Sequence, residues 1–280
     1  MTSNLGIVWP TNINSLEILA ELKNNSTVVY TKELKLSSLK EFIFDVYSFD
    51  KGLKVFKAKN ILAKLERLSN QKENTVVLVE FKSKTFDDTI KIRNNIRKKF
   101  ESKTSNPAFD IFHSATSLEE KKHLENIFFS ATIDSYNERI ELSQNLTNRL
   151  KTLKEWAVNT NTSLNDICIV GGAVLDLYGY KHCDDIDIVI MKTLRDKRNY
   201  GPRASMLVEG VDIVKNNYSK KEGIGKWYTD DDLITNPDLF VVARGIKFAK
   251  LEIVKERKNY SRRNKDLEDL YKIDNNIKLL

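Results

Sequence analysis

The sequence has 280 residues and a net charge of +7 at pH 7, with 41% hydrophobic and 30% charged residues. This length predicts two domains with sizeable cores, and the composition is that of a soluble globular protein. No apolar run approaches the roughly 20 residues of a membrane helix, and no signal-peptide pattern is seen. Cys168 and Cys183 form neither a disulfide framework nor a zinc site, so we expect a cytoplasmic protein. The positive charge favours anionic partners, among them nucleotides, sugar phosphates, glycans and RNA.

The first 130 residues alternate between strand-like and helix-like patterns. We expect strands at 5–9, 28–30, 75–81 and 109–113, and helices at 15–22, 37–47, 57–68, 87–100 and 118–129. This alternation predicts an α+β domain built on an antiparallel sheet.

A second feature is the stretch from Ser130 to Trp156, which has neither proline nor glycine. Its apolar residues recur at spacings of two to four, which predicts one long helix with an apolar face. We therefore assign residues 131–160 to a connecting helix, between a domain at 1–130 and another at 161–280.

The second domain contains two carboxylates in a strand pattern. Asp185 and Asp187 belong to the β-branched run 185–190. Residues two apart on a strand point to the same face. Two adjacent carboxylates repel one another unless a cation lies between them, and a hard divalent ion, Mg²⁺ or Mn²⁺, suits such ligands.

A pair of glycines precedes these carboxylates. The apolar run 167–170 stops at Gly171-Gly172, and a short helix pattern follows. Glycine lets the backbone approach a bulky anion such as a triphosphate. The alternative is that the glycines form an ordinary strand–helix turn and that the two carboxylates are a polar strand edge.

Residues 170–190 resemble the signature of the DNA polymerase β-like nucleotidyltransferase superfamily, in which a Gly-Gly or Gly-Ser turn precedes an Asp-x-Asp strand. The resemblance implies a nucleotidyltransferase fold for 161–280, with Asp185 and Asp187 as catalytic metal ligands. A third carboxylate comes from a later strand in this family, and Asp212 is the candidate. The resemblance further implies two-metal transfer, with Asp185 and Asp187 bridging both ions and Asp212 holding the ion that activates the acceptor hydroxyl. It also implies a nucleoside triphosphate or another nucleotide-activated donor.

Four residues are candidates for substrate binding: Gly171, Gly172, Arg203 and Lys247. Gly171 and Gly172 are expected to face the donor. Arg203 ends the basic segment 192–203, which could hold substrate phosphates or be a solvated loop. Residues 239–258 begin as an apolar segment and are expected to continue as a basic amphipathic helix.

The C-terminal segment resembles that of small nucleotidyltransferase-fold proteins that act on small molecules or glycans. By this resemblance Lys247 points into the cleft, while Lys265 and Asp266 lock the final helix to the domain. The alternative for the second pair is helix-start electrostatics. Asp230 to Asp232, after Thr229, are predicted to start a helix rather than to bind metal.

Three functions compete for this domain. The first is transfer of a nucleotidyl or phospho-sugar-type group to a small-molecule or glycan hydroxyl. The second is an RNA nucleotidyltransferase, because residues 171–179 resemble the tRNA CCA-adding motif; Leu175, however, stands where that motif has arginine. The third is a non-catalytic nucleotide-binding or interaction module, against which the intact carboxylates argue.

The first domain also resembles a known family, the nucleoside diphosphate kinases, which have a ferredoxin-like core. The resemblance is carried by Trp9-Pro10-Thr11, Ile96-Arg97 with Phe100, and residues 110–120. It implies a ferredoxin-like fold, with His113 at the position of the phosphorylated histidine and Arg97 at that of a phosphate-contacting arginine. Trp9 replaces the phosphate-binding lysine of that family, so we expect a shared fold without the kinase activity.

Overall fold

The computed structural model of the protein describes residues 2–36, 39–48, 55–69, 74–136, 138–139, 141–200, 205–214 and 228–279. The chain forms two compact units, Met1–Phe129 and Ser130–Leu280. Each combines helices with a sheet, so the protein is of mixed α+β class, with twelve α-helices and two sheets in those ranges. No helix among the described residues is long and apolar enough to cross a membrane.

The first unit contains four strands and five α-helices in its described part. In chain order these are β1 (Thr2–Val8), α1 (Ser15–Asn25), β2 (Thr27–Lys35), α2 (Leu39–Tyr47), α3 (Val55–Ser69), β3 (Thr75–Ser83), α4 (Phe86–Glu101), β4 (Phe112–Ser114) and α5 (Leu118–Phe128). Each expected strand and helix of this unit is therefore found, with shifts of a few residues at the ends. The strand expected at 109–113 starts later because a 3₁₀ turn occupies Ala108–Asp110.

The four strands of this unit form an antiparallel sheet in the order β2-β3-β1-β4. Ile18 and Leu22 of α1, and Ile96 and Phe100 of α4, share one core with Phe81 of β3. These helical residues are spaced three or four apart, so each helix turns one apolar face to the sheet. Their burial from water is the main stabilising term for this layer.

The second unit contains six strands and seven α-helices in its described part. In chain order these are α6 (Thr132–Ser135), α7 (Gln144–Asn159), β5 (Ile167–Val170), α8 (Gly172–Leu177), β6 (Ile186–Ile190), α9 (Lys192–Lys197), β7 (Ser205–Val208), β8 (Val211–Ile213), α10 (Asp230–Thr235), β9 (Phe240–Ala243), β10 (Ile246–Ala249), α11 (Leu251–Ser261) and α12 (Asn264–Asp274). As predicted, Thr229 caps α10, where it forms a capping box with Asp232.

The six strands form one mixed sheet in the order β7-β8-β6-β5-β10-β9. β6 is parallel to β8 and β5 is parallel to β10, whereas the remaining pairs are antiparallel. β5 is fully buried, which explains its unbroken apolar sequence. Val170, its last residue, pairs with Asp187 of β6. The chain therefore leaves β5 and enters α8 directly beside that carboxylate.

The predicted continuous helix from Ser130 to Trp156 is wrong. The structure has two separate helices here, α6 and the longer α7. Ser143 begins α7 because its hydroxyl accepts a hydrogen bond from the Leu146 amide, an N-cap inside the predicted helix. Helix α7 packs against β7 and β8, so it is part of the second unit rather than a connecting segment.

The helix expected within 239–258 begins later than predicted. Residues 240–249 form the hairpin of β9 and β10, and only α11 is helical. Arg244 and Gly245 both have positive φ, 52° and 77°, as a two-residue hairpin turn that matches the strand twist requires. Lys247 therefore lies on a strand and not on a helix.

Candidate active site

The carboxylates of the Asp-x-Asp motif and the later strand meet at one point of the second sheet. Asp187 and Asp212 are register partners on the parallel strands β6 and β8. Asp185 immediately precedes β6 and is exposed, whereas Asp187 and Asp212 are partly buried. The structure thus brings together the three carboxylates that the sequence proposed.

These carboxylates interact electrostatically. Burial, together with the neighbouring charges of Asp185 and Asp212, raises the pKa of Asp187 to about 6. Arg263 and Lys265, at the start of α12, act in the opposite direction. Asp187 therefore lies where several negative charges converge and two cations only partly offset them.

Gly171 is required for this arrangement. Its φ is +69°, and a Cβ atom built on it would lie 2.6 Å from Oδ2 of Asp187. Both the backbone angle and this close approach exclude an ordinary side chain. Gly172 is less restricted, because its Cβ would lie 3.4 Å from Cε of Lys181. The two glycines thus lie against a carboxylate and a lysine side chain, respectively.

Carboxylate oxygens on adjacent strands are the donor set that Mg²⁺ or Mn²⁺ prefers. Within the described ranges, no group of three or more His, Cys, Asp or Glu side chains is already gathered closely enough to hold a metal ion. Asp185 and Asp212 nevertheless lie near enough to perturb Asp187. In their chemistry, these carboxylates fit a divalent cation, whose charge would offset their mutual repulsion.

Asp176 of α8 holds the loop that leads into β6 by a hydrogen bond to its backbone. This buried carboxylate accepts hydrogen bonds from the Ser143 hydroxyl and from the backbone amide of Cys183, both at 2.8 Å. Because Cys183 is two residues before Asp185, Asp176 positions the carboxylate pair. In the sequence, Asp176 has no feature that distinguishes this role from ordinary helix packing.

Helix α12 is attached beside the site through a buried ion-pair network. Lys258 of α11 contacts Asp266 at 3.1 Å and Asp269 at 2.6 Å. Although burial opposes ionisation, hydrogen bonds from Arg263, Ser261 and Lys258 hold the pKa of Asp266 well below its ordinary value. Asp266 therefore locks the final helix as the sequence suggested, but its buried cation is Lys258.

Lys265 has a different position from the one predicted. It is exposed at the start of α12, and its charge lowers the pKa of Asp187. Sequence reasoning also missed Lys181, whose ammonium lies 3.3 Å from Asp269. Only the three-dimensional structure brings these cations to the carboxylates, because their partners are far away in the chain.

Lys247 does not lie with the carboxylates, and the expectation that it points into their cleft is wrong. Its ammonium donates hydrogen bonds to the carbonyl oxygens of Ile234 at 2.7 Å and Asn165 at 3.0 Å. The same group lies 4.9 Å from the centre of the Phe240 ring. Strand β10 is two strands away from β6. Lys247 therefore has a structural role, in which its buried side chain links β10 to the backbone at Ile234 and Asn165.

The basic segment after β6 is only partly described. Arg203 lies outside the described residues. Within α9, Arg195 donates a hydrogen bond to Asp230 of α10 at 2.9 Å, and the Lys192 amide donates to Asp231. These contacts attach α9 to α10, so they favour a structural role for this part of the segment.

The candidate pair in the first unit, His113 and Arg97, is also brought together. His113 is buried, with Nε2 3.2 Å from Oε1 of Glu120 and its ring 5.2 Å from that of Tyr47. Arg97 donates a hydrogen bond from Nε to the Phe112 carbonyl at 2.8 Å. Burial lowers the pKa values of both His113 and Arg97.

Trp9 fills the position beside this pair. Its ring stacks on Tyr47, with centroids 6.1 Å apart, and Lys64 lies 4.5 Å above it. The Lys64 ammonium is bound by Asp110 at 3.1 Å. A cationic side chain is therefore present here, but it is engaged by a buried carboxylate.

Comparison of the sequence with known protein families finds no matching family model, and comparison with curated proteins finds no significant relative.

Proposed function

We propose that the second unit is a metal-dependent transferase of the nucleotidyltransferase type. It would move a nucleotidyl or phospho-sugar-type group from an activated nucleotide donor to a hydroxyl of a small molecule or glycan. The observation that carries this proposal is the pairing of Asp187 and Asp212 on adjacent parallel strands, with Asp185 just before the first of them and Gly171 held against Asp187.

Each residue has a separate task in this proposal. Asp185, Asp187 and Asp212 would hold Mg²⁺ or Mn²⁺. When bound, the ion supplies positive charge that offsets the phosphate oxygens and makes an acceptor hydroxyl easier to deprotonate. Gly171 lets the backbone pass close to the Asp187 carboxylate, and Asp176 fixes the loop that carries Asp185. The protein thus contributes position and charge rather than a covalent intermediate.

A small acceptor is favoured over RNA by the contacts of the basic side chains. Arg195 and Lys258 are paired with carboxylates inside the unit, and Lys247 is bound by backbone carbonyls. Arg149 likewise donates to the carbonyl oxygens of Asp184 and Glu209. These four side chains are engaged within the unit, so they do not contribute to the extended phosphate-binding surface that RNA binding requires.

A thermal-shift screen tests the proposal. The full-length protein is mixed with ATP, CTP, GTP, UTP or nucleotide sugars, with and without Mg²⁺ or Mn²⁺. A ligand that binds only the folded state raises the unfolding midpoint, and the shift should require the metal and disappear in Asp187→Asn. An equal shift in both proteins would refute the proposal. Filter binding of tRNA at two salt concentrations distinguishes the RNA alternative, which predicts tight binding with a steep salt dependence.

We also propose a ferredoxin-like fold for the first unit. The support is its β-α-β-β-α-β path, with α2 and α3 between the second and third strands, and the sheet order β2-β3-β1-β4. We assign no kinase activity to it, because Trp9 and the Lys64–Asp110 pair lie beside His113 where a phosphate-binding lysine would be needed.

A further inference from the structure

Lys181 lies beside the two glycines that we place at the donor site. It follows α8 in the chain, and its Cε and Nζ are 3.4 and 3.8 Å from the position of a Cβ on Gly172. On the neighbouring residue, a Cβ on Gly171 would lie 2.6 Å from Oδ2 of Asp187. An ammonium and a metal-binding carboxylate therefore flank the same pair of glycines.

Lys181 is paired with Asp269, a carboxylate that has a shorter hydrogen bond to another lysine. Oδ2 of Asp269 accepts a hydrogen bond from Lys258 at 2.6 Å and one from Lys181 at 3.3 Å. The Lys258 side chain is 9% exposed, whereas that of Lys181 is 30% exposed. If Lys181 turns away, Asp269 keeps its buried cation, so the network that holds α12 remains intact.

We infer that Lys181 binds phosphate oxygens of the nucleotide donor, leaving Asp269 when the donor enters. This inference rests on the proposed function and adds to it the side chain that recognises the donor phosphate. An ammonium on a flexible stem binds phosphate as a point charge. Asp269 then acts as a resting partner, which holds Lys181 beside the glycines before the donor arrives.

Titration calorimetry on the full-length protein tests this assignment. The probes are the Mg²⁺ complexes of ATP, CTP, GTP, UTP, UDP-glucose and inorganic tripolyphosphate. Lys181→Gln should weaken the binding of both nucleotide and tripolyphosphate roughly tenfold, the loss expected for one charged hydrogen bond. Lys181→Arg should restore most of it. Lys255→Gln is the matched control. Like Lys181, Lys255 forms an ion pair with an aspartate of α12, in this case Asp274 at 2.5 Å. The Lys255→Gln variant should bind the probes as tightly as the wild type does.

The unliganded unfolding midpoint separates ligand binding from a structural role. If Lys181 only attaches α12, Lys181→Gln lowers that midpoint but leaves the dissociation constants unchanged, which overturns the inference. If the wild type binds none of the probes and Asp187→Asn responds to Mg²⁺ as the wild type does, the proposed function fails and the inference falls with it. If Asp187→Asn abolishes metal-dependent binding but Lys181→Gln does not weaken it, the inference alone is wrong.

Discussion

Replacing Asp187 by asparagine should stabilise the metal-free protein while destroying its activity. The pKa of Asp187 is raised from 3.8 to about 6 by burial and by Asp185 and Asp212. A carboxyl whose folded-state pKa is raised favours folding at low pH, where it is protonated. That contribution is lost as the pH rises through about 4 to about 6.

The size of this effect follows from the pKa shift. A shift of about two units is equivalent to roughly 3 kcal/mol at pH 8. Solvent screens the charge of Asp187 because its side chain is partly exposed, and burying the asparagine amide has a cost of its own. We therefore expect the substitution to recover about half of this free energy. For a unit of this size, about 1.5 kcal/mol raises the unfolding midpoint by roughly 3–6 °C.

Thermal melts of the wild type and Asp187→Asn in EDTA, followed by circular dichroism between pH 4 and pH 8, test this expectation. The gain should be largest at pH 8 and should vanish near pH 4. Asp184→Asn is the control, because Asp184 is an exposed neighbour outside the carboxylate group, and it should change little at any pH. A midpoint that falls in Asp187→Asn at pH 8, or turnover that persists, would refute the reasoning.

Three further predictions concern other residues. Gly171→Ala should abolish metal-dependent nucleotide binding, because its Cβ would lie 2.6 Å from Oδ2 of Asp187. Calorimetry measures this binding, and Gly172→Ala should weaken it less. Lys258→Met should lower the free energy of unfolding by about 3 kcal/mol, since it removes the buried cation that Asp266 and Asp269 share and leaves only their more exposed partners; denaturant unfolding gives the value, and a loss below 1 kcal/mol would contradict the network. His113→Ala should leave transferase turnover within a few-fold of wild type, and acid-labile labelling of His113 by a triphosphate would show that the first unit has its own chemistry.

The structure brings together those candidate site residues whose positions are set by neighbouring residues in the chain. Gly171, Asp185 and Asp187 lie within one short segment, so their spacing alone brings them together. Asp212 required one more step, because a β-branched strand is recognisable by itself and only its register with β6 had to be assumed. Local patterns therefore defined the carboxylate group.

The features that were missed depend on distant partners. Lys181 meets Asp269 across 88 residues, and Lys247 meets Asn165 across 82. Neither pairing leaves a periodic pattern, so Lys181 was overlooked and Lys247 was assigned to the wrong surroundings. The prediction of one long helix from Ser130 to Trp156 was wrong for another reason. Serine can lie inside a helix or cap one, and Ser143 caps α7.

The final helix connects stability to the proposed chemistry. Lys258, Asp266 and Asp269 hold α12 in place, and the start of that helix carries Lys265, whose charge reaches Asp187. Without a metal ion, this cation offsets part of the repulsion among the carboxylates. A divalent ion does so more strongly, because it carries twice the charge and lies between the oxygens. Metal binding should therefore make the charge of Lys265 less important for the carboxylate group, so Lys265→Gln should affect the unfolding midpoint more without metal than with it.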